Sequence, residues 1–166
     1  MRTSQRVEYE WVFRSTYPSV LRTAFLILHD RGRAEEVTQD AFLRLYERWG
    51  GVIRIDNPAA WVRKVAARAA VRQARLARIR ETVRPDEEVS AWDDLPDLDL
   101  VRAVAALAPQ QRAAVALFYL EDLPVDEVAH LLGVSASTVK QHLYRARARL
   151  AALLSESPKE VTKDVD

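Results

Sequence analysis

Apolar residues recur along most of this chain at steps of three and four, which is the spacing of amphipathic helices rather than strands. The clearest stripe is formed by Ala34, Val37, Ala41, Phe42, Leu45 and Trp49. Alternating runs of β-branched residues, which would indicate strands, are missing from the chain. The pattern therefore predicts an all-α fold.

The N-terminal part of the pattern predicts two helices before a glycine pair. The first covers roughly Val7 to Leu28, and Pro18 is expected to break or kink it because proline lacks an amide donor. The second opens after the residues HDRG and runs to about Trp49. Glu35 and Glu36 are expected in its first turn, where the positive end of the helix dipole favours acids.

A third helix is predicted from Asn57 to about Arg80. Asn57 can cap its free amides, and Pro58 suits the first turn because a proline N–H would be unpaired there anyway. The predicted inward face of this helix consists of Trp61, Val65, Ala69 and Leu76.

After an acidic stretch the pattern predicts four short helices. Their expected bounds are Leu98–Leu107, Pro109–Leu120, Val125–Leu132 and Ala136–Leu154. The chain then divides into a helical module at 1–81, a linker at 82–97, a second helical module at 98–154 and a polar tail at 155–166. The linker is expected to be flexible, since its prolines and charge disfavour a packed core.

Charge is distributed unevenly along the chain, although the formal net charge is only +1. The segment Trp61–Arg80 carries seven basic residues and no acid, and the segment Asp86–Asp99 carries seven acids and no base. A cationic helix indicates a surface for a polyanion, because cations that approach phosphates release the counterions bound there. A solvated helix face is the alternative interpretation.

The last two helices have the spacing of a helix-turn-helix. Gly133 suits the left-handed residue that ends the first helix, Val134 can fill the angle between the helices, and Ser135 can cap the second. The inner face of the second helix is predicted at Val139, Leu143, Ala146 and Leu150. Its outer face carries Ser137, Thr138, Lys140, Gln141, Tyr144 and Arg145. Such side chains can contact base edges and phosphates, so a DNA-reading helix is predicted; a helical hairpin with a solvated basic face is the alternative.

A second candidate DNA surface lies on the third helix. Its cations Lys64, Arg68, Arg72 and Arg75 line up at steps of four, four and three. Trp49 and Trp61 flank the loop before this helix, and aromatic side chains beside a basic groove can stack unpaired bases. Packing in the core is the alternative for both tryptophans.

Composition excludes several kinds of chemistry. With no cysteine, the chain has no disulfide, thiolate metal site or cysteine nucleophile. Its histidines, His29, His130 and His142, are scattered, so we expect no catalytic site, no metal site and no cofactor. No apolar stretch approaches the length that spans a membrane. We therefore expect a soluble, cytoplasmic protein that is not an enzyme.

In this order the parts resemble a bacterial sigma factor of the extracytoplasmic-function group, within the sigma-70 superfamily. The region 2 helix that docks on the clamp coiled coil of RNA polymerase resembles the segment DRGRAEEVTQDAFLRLYERW. The region 2 helix that holds the promoter −10 element resembles NPAAWVRKVAARAAVRQAR. Region 4, which reads the −35 element and contacts the polymerase flap, resembles LAPQQRAAVALFYLEDLPVDEVAHLLGVSASTVKQHLYRARARL.

The resemblance implies a protein that binds core RNA polymerase and directs promoter recognition and transcription initiation. The implied polymerase-binding face consists of Glu36, Gln39, Asp40, Leu43 and Arg44. The implied −10 residues are Trp49, Asn57, Trp61, Lys64, Arg68, Arg72 and Arg75. The loop between Trp49 and Asn57 is expected to receive a flipped base. The implied −35 residues are the six on the outer face of the last helix, and the implied partners are core polymerase, promoter DNA and an anti-sigma factor.

The sequence departs from the family pattern at two places. Arg68 and Arg72 stand where this group commonly has an asparagine and, one turn later, an aspartate. Pro124 stands where a capping serine or threonine is common, so the helix that follows must begin without a capping hydroxyl.

Two other functions remain open from the residues alone. A conventional helix-turn-helix regulator would bind duplex operators without polymerase, and an adaptor would bind proteins through its helical hairpins. The acidic linker has two candidate roles: it follows the RNA exit path, or it folds back on the arginine-rich third helix and suppresses promoter binding by the free protein.

Overall fold

The computed structural model describes residues 3–50, 55–80 and 98–156, with side chains described for all of these except 78–80 and 98. The α-helices in these ranges are α1 (Thr3–Leu28), α2 (Arg31–Trp49), α3 (Pro58–Arg80), α4 (Leu98–Ala105), α5 (Pro109–Val115), α6 (Val125–Leu132) and α7 (Ala136–Glu156). A π-helical turn, Ala116–Leu120, continues α5. The described ranges contain no strand, which confirms the all-α prediction. The predicted linker, 82–97, lies outside the described residues.

Helix α1 runs without a break through Pro18, so the predicted interruption there is wrong. Pro18 is exposed, and the turns on either side of it are anchored by buried side chains, Thr16 and Val20. The missing amide hydrogen bond therefore falls on the solvent side of the helix, where water can satisfy the freed carbonyl.

Helix α2 begins earlier than its pattern suggested, because Asp30 caps it. The carboxylate Oδ1 of Asp30 accepts a hydrogen bond of 3.0 Å from the Arg33 amide. As a result Glu35 and Glu36 lie beyond the first turn, and their predicted dipole contribution is wrong. The predicted apolar stripe is confirmed: its members from Ala34 to Leu45 are buried, and Trp49 is half-buried.

Helix α3 begins as predicted but faces the core with a different stripe. Asn57 Oδ1 accepts a hydrogen bond of 3.0 Å from the Ala60 amide, which confirms the cap. Leu76 is 49% exposed, so its predicted inward position is wrong, whereas Trp61, Val65 and Ala69 are half-buried and pack against the core. The buried residues are Val62, Ala66, Ala67, Ala70, Val71 and Ala74. Small side chains occupy this buried face because they let neighbouring helices approach α3 closely from more than one side.

The C-terminal module, α4–α7, follows its predicted bounds closely. The unforeseen feature is the π-helical turn at Ala116–Leu120, where a single α-helix was expected to reach Leu120. Beyond it, Asp122 adopts a left-handed conformation with φ of 50°. This turn places Glu121 against the N-terminal module, α1–α3.

The two modules pack against each other on a shared core. Helices α1 and α3 contact α5, and α3 also contacts α6. Buried side chains of both modules belong to one cluster, for example Phe25 and Val62 with Leu117 and Val128. The sequence did not predict this contact, because the helical periodicity of each module reports a buried face without reporting what covers it.

Candidate nucleic-acid and polymerase interfaces

The helix-turn-helix is built by local features of the sequence. Gly133 ends α6 in the left-handed conformation with φ of 66°, which side chains other than glycine rarely adopt. Ser135 then caps α7, with its Oγ accepting a hydrogen bond of 3.2 Å from the Thr138 amide. Val139 and Leu143 are fully buried beneath the helix. Each of these features was predicted, and they fix which side of α7 faces solvent.

The outer face of α7 is presented as the sequence predicted. Ser137, Lys140, Gln141, Tyr144 and Arg145 are exposed, and Thr138 is half-buried. The Ser135 hydroxyl also lies 3.0 Å from Ser137 Oγ and 2.8 Å from Thr138 Oγ1, so these short groups belong to the cap. The longer side chains Lys140, Gln141 and Arg145 are therefore best placed to reach a groove.

His142 lies at the edge of this face and is half-buried. Burial, followed by the nearby charge of Arg145, lowers the pKa of His142 from that of a free histidine. The imidazole is consequently neutral at physiological pH. Positive charge on this face comes from Lys140 and Arg145.

The cations of α3 have a different setting. Arg68, Arg72 and Arg75 are exposed and Lys64 is half-buried. Arg68 Nη2 lies 3.2 Å from His130 Nε2, and Arg75 Nη2 donates a hydrogen bond of 3.5 Å to the Leu132 carbonyl. Both acceptors lie on α6, so the C-terminal module stands beside this basic face.

The residues around the loop before α3 mostly make contacts that stabilise the fold. Trp49 packs edge-to-face with Tyr9 at a centroid distance of 5.4 Å, and the Arg48 guanidinium lies 5.3 Å from the centre of the Trp61 ring. Both tryptophans are half-buried against the core, and the Asn57 side chain is the helix cap. Residues 51–54 of the predicted base-binding loop lie outside the described residues.

One face of α2 is left uncovered by the described part of the chain. Glu36, Gln39, Asp40, Leu43 and Arg44 are all exposed, and Leu43 is 55% exposed. Tyr46, one turn after Leu43, is also exposed and extends this face. The sequence analysis missed Tyr46, although its spacing from Leu43 could have revealed it. An apolar centre surrounded by charged groups is typical of a protein-binding face.

Comparison with known proteins matches both halves of the chain to one family. The family model described as Sigma-70 region 2 matches residues 12–79, and Sigma-70, region 4 matches residues 97–150. The RNA polymerase sigma-E factor of Streptomyces avermitilis is 31% identical, over 90% of this chain and 87% of its own length. This chain belongs to the sigma-70 family of RNA polymerase sigma factors.

Other relatives place this sigma factor in the extracytoplasmic-function group. The ECF RNA polymerase sigma factor SigM of Mycobacterium tuberculosis is 29% identical, over 90% of this chain and 78% of its own length. Among solved structures, the sigma factor RpoE of Bartonella quintana, in complex with the anti-sigma factor NepR, has 19% identity and a TM-score of 0.64. That match covers 91% of this chain and 99% of the other, and it confirms the fold.

Family membership confirms the function predicted from the sequence, an RNA polymerase sigma factor rather than an operator-binding regulator. The relatives are named as sigma factors, which are regulatory proteins. None of the described helices of this sigma factor is long and apolar enough to cross a membrane.

The departure at Pro124 is visible in the sigma factor's structure. Pro124 occupies the cap position of α6 and makes no side-chain hydrogen bond to the helix. Asp126 and Glu127 lie in the first turn, where the helix dipole favours them. The start of α6 is thus stabilised by these acidic side chains and by backbone hydrogen bonds, without a side-chain cap.

Sequence reasoning missed the residues that join the modules. Arg63 Nε lies 3.0 Å from Glu121 Oε2 as an ion pair, and the Thr23 hydroxyl donates a hydrogen bond to the same carboxylate. Arg112 Nε donates a hydrogen bond of 3.0 Å to the Ile27 carbonyl. These partners are far apart in the chain, so neither spacing nor periodicity signals them.

Proposed function

We propose that this sigma factor binds core RNA polymerase through α2 and holds the two elements of one promoter with α3 and α7. The observation that carries the proposal is the coexistence of two exposed faces in one chain. One is the mixed apolar and charged face of α2, and the other is the basic outer face of α7. An operator-binding regulator needs the second face and leaves the first without a role.

The outer face of α7 is the proposed −35 surface. Its N-terminal residues Ser137, Thr138, Lys140 and Gln141 would enter the major groove, with Tyr144 and Arg145 one turn later. Tyr144 is 74% exposed and Arg145 is exposed, so both can reach bases or phosphates without rearranging the core. Arginine and glutamine make paired hydrogen bonds with guanine and adenine respectively, which gives sequence selection.

The exposed face of α2 is the proposed polymerase surface. Glu36, Gln39, Asp40 and Arg44 would surround Leu43 as a polar rim around an apolar anchor, binding the clamp coiled coil. The core beneath this face is fully buried, including Phe42 and Leu45. A rigid support of this kind means that binding requires little reordering of the helix.

The basic face of α3 is the proposed −10 surface. Lys64, Arg68, Arg72 and Arg75 would contact the DNA backbone, which provides affinity without sequence selection. Trp49, Asn57 and Trp61 surround the start of this helix and would shape the pocket for a flipped base. Their half-buried and capping positions favour a supporting role for these residues over direct stacking as isolated platforms.

The partners of this sigma factor follow from the same proposal. The C-terminal module would also contact the polymerase flap, and the factor would act in the cytoplasm beside the polymerase, without catalysis of its own. RpoE of Bartonella quintana was solved with the anti-sigma factor NepR. An anti-sigma factor is accordingly the proposed class of regulator here.

Run-off transcription with core polymerase tests the proposal. Lys140→Ala combined with Arg145→Ala should abolish promoter selection while core binding, measured by co-purification, stays intact. Asp40→Ala should lower core binding, whereas Glu8→Ala, which removes an exposed acid from α1, should not. Wild-type protein that binds duplex DNA tightly and specifically but never associates with core polymerase would contradict the proposal.

A further inference from the structure

A cavity of about 420 Å³ lies on the boundary between the N-terminal module and the C-terminal module. Leu26 of α1 forms one wall, and the facing walls come from α4, from α5 with its π-helical turn, and from α7. The apolar side chains of those facing walls include Leu100, Val101, Val104, Val115 and Leu150. Apolar cavities of this size, placed where two packed units meet, are typical of small-molecule sites.

The walls of this cavity are supported by the core beneath them. Val101 and Val104 are almost fully buried, and Ala116, at the start of the π-helical turn, is 1% exposed. Leu26 and Leu150 pack from opposite modules against the buried cluster that contains Val104. Because these side chains are already ordered, a ligand can enter the cavity without a large cost in rearranging its walls.

Three polar side chains line the same cavity, namely Arg22, Tyr119 and Arg147. Arg147 Nε donates a hydrogen bond of 2.6 Å to the Tyr119 hydroxyl, and the Arg147 guanidinium lies 5.7 Å from the centre of the Tyr119 ring. Both of these residues are exposed, so they lie where the cavity meets solvent. The contact with Tyr119 orients Arg147 and leaves its terminal nitrogens available to a ligand.

The two arginines of the cavity bring positive charge that no protein acid balances. Within the described part of the chain neither Arg22 nor Arg147 forms an ion pair, and Arg22 is half-buried. No acidic residue is among the described residues that line the cavity. Partial burial of an unpaired cation is unfavourable, and a bound anion offsets that cost. Guanidinium groups suit carboxylates in particular, because they can donate two parallel hydrogen bonds to them.

We propose that this cavity binds a small amphipathic anion, an alkyl chain that ends in a carboxylate. The chain lies against Leu26, Val101 and Val104, and the carboxylate pairs with Arg22 and Arg147. None of the residues proposed to contact polymerase or DNA by number lines the cavity. The inference therefore goes beyond the proposed function and does not depend on it.

Titration calorimetry of the full chain with octanoate tests the proposal. Two matched ligands separate the parts of the probe: 1-octanol keeps the chain and lacks the charge, and acetate keeps the carboxylate and lacks the chain. Octanoate should bind at a single site with a dissociation constant of about 10–300 µM, and the two matched ligands should bind about tenfold more weakly or less. Octanoate should also raise the melting temperature, since it binds only the folded protein.

Substitutions in the cavity should affect the two parts of the ligand separately. Arg22→Gln should weaken octanoate binding about fivefold to tenfold and leave 1-octanol binding unchanged, because it removes only the charge. Arg14→Gln makes the same change at an exposed position of α1 outside the cavity and should alter neither ligand. Val115→Phe, at a half-buried lining position, fills the cavity and should weaken octanoate and 1-octanol alike.

The proposal is overturned if octanoate does not bind at millimolar concentration, or if Arg22→Gln and Val115→Phe, with wild-type circular dichroism, both bind it as the wild type does. Equal affinity for octanoate and 1-octanol would show that the cavity recognises an apolar group alone, such as a side chain of a protein partner, and would contradict the anionic ligand. Light scattering that shows a dimer, which octanoate dissociates, would assign the cavity to a second copy of the chain instead. These readouts use neither DNA nor polymerase, so their failure leaves the proposed function standing.

Discussion

The two basic helices, α3 and α7, have similar charge but different surroundings. The outer side chains of α7 face solvent, and the residues that orient them, Gly133 and Ser135, lie directly before the helix. On α3, Arg68 and Arg75 instead contact α6 of the other module. The proposed −35 surface on α7 thus faces solvent, whereas two cations of the proposed −10 surface on α3 are exposed but already contact α6.

This difference shows that charge pattern and availability are separate properties. A run of cations on one helical face indicates which ligands that face can bind when no other part of the protein contacts it. Whether it is free depends on tertiary contacts such as that of Arg63 with Glu121, which lie outside any local pattern.

The largest expected effect comes from removing the long cations of α7. Lys140→Ala with Arg145→Ala should weaken −35 binding in the polymerase complex by about 2–4 kcal/mol, or roughly 30- to 1,000-fold. Both side chains are exposed, so thermal unfolding should be unchanged. Transcription from promoters that differ in their −35 element checks the loss of binding, and a thermal melting curve checks that stability is unchanged. Arg14→Ala, which removes an exposed cation from α1, is the control.

A smaller effect is expected from Gly133→Ala, which tests whether the orientation of α7 is set locally. The φ of 66° at Gly133 strains any side chain, although an added Cβ meets nothing within 4 Å. The free energy of unfolding should fall by about 1–2 kcal/mol from backbone strain alone. Chemical denaturation measures it, and an unchanged midpoint would mean that the turn relaxes without cost.

Comparing Arg72→Ala with Arg68→Ala sharpens the contrast within α3. In the free protein Arg72→Ala should weaken binding to single-stranded DNA about threefold to fivefold, and Arg68→Ala less than twofold, because His130 already holds Arg68. In the polymerase complex the two changes should have equal effects. Fluorescence anisotropy of labelled DNA measures the affinity of each variant, once for the free protein and once for its complex with polymerase. Equal effects in the free protein would show that the contact with His130 does not keep Arg68 from DNA.

The smallest expected effect is a gain in stability from Pro124→Ser. Pro124 offers α6 no hydroxyl, and a serine there can accept a hydrogen bond from a free amide of the first turn. The expected gain is about 0.5–1 kcal/mol, reduced by the greater freedom of serine in the unfolded chain. Thermal unfolding checks it, and a loss of stability would show that the rigidity of Pro124 matters more than the cap.

The sequence predicted the elements whose causes are local. Gly133, Ser135 and Asn57 each end or begin a helix through their own backbone preference or side chain, and the structure places them so. The inner face of α3 was predicted only in part, because Trp61, Val65 and Ala69 pack against the core but stay half-buried, and Leu76 is exposed. Alanines such as Ala66 and Ala70 are buried there instead, since helices pack closely against small side chains.

Features with distant causes were not predictable. Pro18 stays within α1 because the turns around it are held by tertiary packing, which outweighs the local loss of a hydrogen bond. The π-helical turn before Glu121 was not predicted, because a helical pattern of apolar residues does not distinguish it from an α-helix. The same holds for the contacts of Arg68 and Arg75 with α6.

Site-specific photo-crosslinking in the polymerase–promoter complex tests the central claim most directly. Crosslinkers at positions 140 and 72 report the DNA beside α7 and α3 in one assembly. The account predicts that position 140 labels the −35 duplex and position 72 labels the −10 region of the same promoter, with the second signal requiring core polymerase. Labelling of one element by both positions, or of both elements without polymerase, would contradict it.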